Sequence, residues 1–289
     1  MVRRCSSVRR HQAVPDPTLD FAFAWSLEIL PAPSWLRDLA GAWVFYSVLP
    51  AWPLLKPRFE RIARFAPWIG LVLGGLQSLL WLILTRANWP TAAVALLVIG
   101  LGAWLTGGLH LDGLMDMADG LAAGRERCLQ AMEDSRVGAS GVQALLVVVL
   151  IRIAALLRLG PLAPLALPIA AFWGRCAPLW AMGRFCYLRE GCSGTASFHR
   201  RYGQGWREAL PAFLVLLVAL TVVPSFLMAG RFSQMTLIVG IVVGVLPAFF
   251  VPEVLGRRLG GHSGDSYGAS LVLVETITLL LLAVLLPAV

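Results

Sequence analysis

Charge is scarce in this chain. Asp, Glu, Lys and Arg make up 14% of its 289 residues against 58% hydrophobic ones, and the mean hydropathy is +0.76. Soluble domains carry roughly 25% charged residues, so a water-soluble globule is excluded. Cysteine is equally sparse: Cys5, Cys128, Cys176, Cys186 and Cys192 form no CxxC pair, which supports neither a zinc site nor a disulfide framework. No adequate apolar core closely follows Arg3, Arg4, Arg9 and Arg10, so a cleaved signal peptide is not expected. Residues 1–40, punctuated by proline from Pro15 to Pro33, read as an extension, disordered or peripheral, ahead of a membrane-embedded domain at 41–289.

What the chain has in quantity is apolar run. Stretches at 67–85, 90–108, 138–157, 161–182, 209–229, 235–255 and 268–288 can each span about 30 Å of hydrocarbon as helix. They predict an all-α, polytopic transmembrane helical bundle of about seven spans. The segment 35–50 is apolar but short and ends at Pro50, as an interfacial or re-entrant helix would. Basic residues set the orientation. Lys56, Arg58, Arg61 and Arg64 precede the first span, and Arg125, Arg127, Arg136, Arg184, Arg189, Arg200, Arg201, Arg207, Arg257 and Arg258 fall in loops on the same side. The opposite loops offer only Arg86, Arg158 and Arg231. The richly basic side is therefore expected in the cytoplasm. Topology and anionic lipid account for the net charge of +8 without nucleic acid.

Against this background the run His110-Leu111-Asp112-Gly113-Leu114-Met115-Asp116-Met117-Ala118-Asp119-Gly120 stands out, because it sets three carboxylates directly behind an apolar span. On a helix, Asp112, Asp116 and Asp119 fall within a roughly 60° arc of one face. Three like charges so close are most simply kept ionised by a divalent cation, and an oxygen-only set points to magnesium or manganese. On the same expected side lie Glu133-Asp134-Ser135-Arg136-Val137-Gly138, suited to hold a phosphate or a loop salt bridge, and Gly260-Gly261-His262-Ser263-Gly264-Asp265, opening the last span. Glu275 lies inside that span, and Arg152 and Arg175 inside earlier ones; each is costly unless paired. Either arginine could pair with Glu275 or Glu253, and Arg152 reads as structural. His110 points away from the aspartate face, which favours a hydrogen bond over metal ligation, and His199 fits a surface position equally well.

The string from Thr106-Gly107-Gly108 through Asp119-Gly120-Leu121, with Met132, Asp134-Ser135-Arg136, Gly138, Gly264-Asp265, Gly268-Ala269 and Glu275, closely resembles the cobalamin synthase family, the adenosylcobinamide-GDP ribazoletransferases. The resemblance covers about residues 42–285. It departs at Ser47-Val48, where the family usually has Thr-Arg, and at His262-Ser263, where a hydrophobic residue and threonine are more usual. It implies an inner-membrane, Mg²⁺-dependent transferase that joins α-ribazole or its 5′-phosphate to adenosylcobinamide-GDP with release of GMP, at the cytoplasmic surface. On this reading Asp112, Asp116, Asp119 and Asp134 hold magnesium, and Arg136 neutralises developing charge. Asp265 takes the proton of the attacking hydroxyl, and His110, Ser135, Arg175, Ser263 and Glu275 contact substrate. A monomer or a homo-oligomer is compatible with it. Two rivals remain: a CDP-alcohol-type phosphotransferase, whose Ala-Arg after the first Asp-Gly is missing, and a cation transporter, for which no internal repeat is visible.

Overall fold

The computed structural model describes residues 32–188, 205–227, 239 and 242–286. Among them the secondary structure is helical, with a single isolated bridge between Tyr187 and His262 and no strand. The extension at 1–31, His199, and much of the region between the expected fifth and sixth spans lie outside the described residues.

Helix α1 (Ser34–Tyr46) is too short to cross a bilayer. It is held by Asp38, whose side chain is 1% exposed and pairs with Arg64 at 2.6 Å and Arg58 at 3.3 Å. Gly41 lets the helix lie against the backbone of Arg58. A 3₁₀ turn at Ile62–Phe65 leads into α2 (Ala66–Arg86), whose Pro67 sits in the first turn, where its missing N–H costs no intrahelical bond.

The expected span at 90–108 is corrected by the structure. Helix α3 (Thr91–Leu105) has 15 residues, about 22 Å at 1.5 Å per residue. The chain then bends by 89° into α4 (Leu109–Ala122), so the pair forms one broken span or a re-entrant element. The bend is built by Gly107 (φ 59°) and Gly108 (φ 74°), a left-handed pair that side chains disfavour by roughly 1–2 kcal/mol per residue. A Cβ at Gly108 would meet nothing within 4 Å. Gly108→Ala is therefore expected to destabilise by about 1 kcal/mol through backbone strain alone, readable as a lowered unfolding midpoint in detergent.

After the one-turn α5 (Cys128–Ala131) come α6 (Ala139–Leu159) and α7 (Ala163–Arg184), joined by a 3₁₀ turn at Gly160–Leu162, then α8 (Leu210–Leu227), α9 (Val245–Leu259) and α10 (Gly264–Leu285). Among the described residues three stretches are long and apolar enough to cross a membrane: Ile62–Arg86, Ala139–Arg184, which holds both α6 and α7, and Gly264–Leu285. The bent α3/α4 pair makes a fourth if counted as one.

Helices α7 and α10 form the centre, α7 packing on α2, α9 and α10, and α10 also on α4 and α6. Small residues let these backbones approach, as association in lipid requires. A Cβ on Gly74 would lie 2.5 Å from the Cα of Pro168, and one on Gly174 2.5 Å from the Cγ of Glu275. Pro168 cannot donate to the carbonyl of Pro164 four residues earlier. The hydroxyl of Ser78 on α2 donates there instead, at 2.8 Å, so the proline gap becomes a helix–helix contact.

Candidate active site

The sharp bend before α4 sets its first turn against the rest of the bundle. His110 points inward and is 7% exposed, whereas Asp112 is exposed and Asp116 and Asp119 are half-buried. Between them, Gly113 packs on the start of α10: a Cβ there would come within 2.8 Å of the Asp265 carbonyl oxygen. That close approach brings Asp112 and Asp265 to one cavity of about 220 Å³, whose wall includes Tyr46, His110, Arg175 and Tyr267. Tyr46 stacks on His110 with centroids 6.2 Å apart.

Arg175 is 2% exposed and ion-pairs with Glu275, while Arg152 reaches the other Glu275 oxygen at 2.9 Å and also donates to Thr276 Oγ1 at 2.8 Å. Two guanidiniums on one carboxylate leave an excess positive charge within the bundle. Glu275 therefore serves first as the counter-ion that keeps both arginines in place. Of the two arginines, Arg175 lies in the wall of the acid-lined cavity.

The other acids are occupied differently. Both oxygens of Asp119 accept backbone amides at the start of α6, from Gly138 and Gly141, each at 2.8 Å. A carboxylate at a helix N-terminus satisfies otherwise unpaired N–H groups and faces the positive end of the dipole. The two glycines are required by this approach, since a Cβ on Gly141 would lie 2.6 Å from Asp119 Oδ2. Asp119→Ala should lower stability by about 1–2 kcal/mol in a denaturation series, the usual range for loss of a helix cap. Asp134 binds Arg136, accepting from its backbone amide at 3.0 Å and from its guanidinium at 2.6 Å. The Arg136 hydrogen bonds hold the Asp134 carboxyl down to about 2. The Arg136 side chain is 87% exposed and Ser135 is exposed, so this loop turns its groups outward in the structure described.

Ser263 is 0% exposed and caps α10: its hydroxyl accepts from Ser266 N, and Ser266 Oγ in turn accepts from Ser263 N, a reciprocal capping box. His262 beside it is also fully buried, between Pro252 O at 3.0 Å and Ser266 Oγ at 2.9 Å, and it stacks on Tyr267 at 5.3 Å. Burial pushes the His262 imidazole down from 6.5 to about 4. Between those values the unfolded chain binds a proton that the folded chain does not. His262 therefore removes stability as pH falls from about 6.5 towards 4. A denaturation series over that range should show this slope, and H262N should flatten it.

Two contributors escaped the sequence reading. Asp38 could have been noticed as a lone acid in an apolar helix facing Arg58 and Arg64. Tyr46 stands next to Ser47-Val48, in the segment where the family resemblance departs, which marks the stretch but not this side chain.

Among the described residues no three of His, Cys, Asp or Glu are gathered closely enough to form a metal site by themselves. Magnesium does not require that. It is commonly held by one or two carboxylates, several waters and the phosphates of a substrate. Asp112 and Asp116, one turn apart on one face of α4, fit that donor set; Asp119 and Asp134, engaged elsewhere, fit it less well.

Apolar spans around a cavity lined by two carboxylates and a buried arginine define a helical membrane protein with a charged site between its helices. The cobalamin-5-phosphate synthase family matches residues 38–283, and the chain belongs to that family. It is 85% identical over 257 residues to an adenosylcobinamide-GDP ribazoletransferase of Prochlorococcus marinus strain MIT 9303, covering 89% of this chain and 99% of that one. It is 48% identical to the one from strain SARG, over 90% of this chain and 100% of that one, and 37% identical to the one from Thermosynechococcus vestitus, over 84% and 94%. No solved structure matches. Membership separates this chain from the CDP-alcohol phosphotransferases and cation transporters weighed above.

Proposed function

We propose that this chain is a Mg²⁺-dependent adenosylcobinamide-GDP ribazoletransferase of the inner membrane, joining ribazole or its 5′-phosphate to adenosylcobinamide-GDP and releasing GMP at the cytoplasmic face of a bundle of about seven spans. The observation that carries the reading is the meeting of Asp112 and Asp265 at one cavity with buried Arg175 and His110 in its wall. Displacement of GMP from a pyrophosphate by an alcohol asks for stabilisation of phosphate charge, alignment of the two substrates and one acceptor for the hydroxyl proton. Asp112 and Asp116 would hold magnesium, which when bound supplies a Lewis acid to the phosphate oxygens. Arg175, fixed by Glu275, orients the anionic substrate from the protein side. Asp265, lining the same cavity as Asp112, accepts the proton of the attacking ribose hydroxyl. Arg136 and Ser135 reach the phosphates only if their loop turns inward on binding.

The orientation is supported by where the basic residues gather. Arg61 pairs with Glu208 at 2.7 Å, and Arg125 and Arg258 border one surface hollow, so in each case basic segments distant in sequence meet. The test is direct: purified protein in detergent or lipid, given adenosylcobinamide-GDP, α-ribazole and Mg²⁺, should release GMP, and chelation should stop it. Absence of GMP release overturns the reading.

A further inference from the structure

A second and larger cavity, of about 410 Å³, lies deeper in the bundle between α2, α3, α6, α7 and α10. It shares His110, Arg175 and Leu271 with the acid-rimmed cavity, so the two meet at one wall. Its lining is mainly aliphatic, including Leu96, Ile99, Ala103, Leu145 and Val149, and its polar members besides the shared pair are Gln77, Thr106, Arg152 and Glu275. Two polar atoms in that wall, His110 Nδ1 and Arg175 Nε, are buried without a hydrogen-bond partner among the described residues. Buried polar groups are almost always satisfied, so these two side chains keep hydrogen-bonding capacity for a ligand that enters the wall.

We infer that this inner cavity receives the benzimidazole ring of the acceptor nucleoside, with His110 and Arg175 bonding its ribose so that the attacking hydroxyl emerges at Asp112 and Asp265. The inference rests on the transferase reading above. Size and polarity select among the pieces of the two substrates. A corrin ring is far too large for the space, and guanine asks for more hydrogen-bond partners along one edge than a mainly aliphatic lining offers. A benzimidazole, fused, flat and nearly apolar, fits a cavity of this volume and lining. The base would then be chosen by shape in the membrane interior, and the phosphates handled at the surface.

Filling the cavity tests this. Ala103→Leu, and Val149→Phe as an independent second variant, should each raise KM for α-ribazole at least 10-fold while KM for adenosylcobinamide-GDP stays within about 2-fold. The loss should shrink for the riboside of unsubstituted benzimidazole, and Leu96→Ala should admit a bulkier base. Equal effects on both substrates, no effect in either folded variant, or activity that follows lipid composition while the acceptor KM stays unchanged would each overturn the inference. The wild-type protein separates the two ideas: GMP release without the KM split leaves the transferase reading standing and removes only the base pocket.

Discussion

Asp112→Asn lowers the rate of GMP release by at least about 100-fold and leaves the unfolding midpoint unchanged. The magnitude follows from removing one full negative charge from the set that would hold the cation at the pyrophosphate, where single electrostatic groups are typically worth about 10²–10³ in rate. The unchanged stability follows from the side chain's exposure at the cavity rim. Asp116→Asn should lower the rate in the same way. Asp119→Asn should not, because its carboxylate accepts the amides of Gly138 and Gly141, and the amide side chain keeps only one acceptor oxygen for them. Its first effect is a looser start of α6. Measuring rate and stability together on the three variants distinguishes acids that serve chemistry from the acid that serves the fold. If Asp112→Asn retains activity within about 3-fold of wild type, Asp112 does not hold the metal.

The largest effect on folding is expected at Glu275. Glu275→Gln leaves the guanidiniums of Arg152 and Arg175 inside the bundle with no counter-charge, and breaking a buried ion pair in this way costs roughly 3–5 kcal/mol. The variant should unfold at much lower denaturant in detergent or fail to accumulate in the membrane. Arg152→Met should be milder, because Glu275 keeps Arg175 and the methionine fills the vacated apolar space. Equal stability of Glu275→Gln and wild type would show that the two arginines are neutralised by something other than this carboxylate.

Where the helices run was readable from hydropathy, since a bilayer forces apolar runs of sufficient length into helix whatever their neighbours. The aspartate string on α4 was readable too, because charge beside an apolar span is costly enough to require a purpose. Helical spacing placed Asp112, Asp116 and Asp119 on one face of that string. It could not say which partners they meet. Asp119 proved to cap α6, 19 and 22 residues further along the chain, and Ser263 proved to cap α10 from a fully buried position.

The 89° break after Leu105 was hidden for a related reason: Gly107 and Gly108 are compatible with a helix end or with a flexible position inside a longer run, and only packing against α10 settles the direction taken. By itself the sequence determined a helical membrane protein with an acidic motif beside an apolar span, because local composition and periodicity are enough to decide solvent and helix. The tertiary structure alone decided which acids border the cavity, that Arg152 and Arg175 share Glu275, and that the two cavities meet at His110. Those are contacts between residues tens to more than a hundred positions apart, set by how closely small side chains let the helices approach.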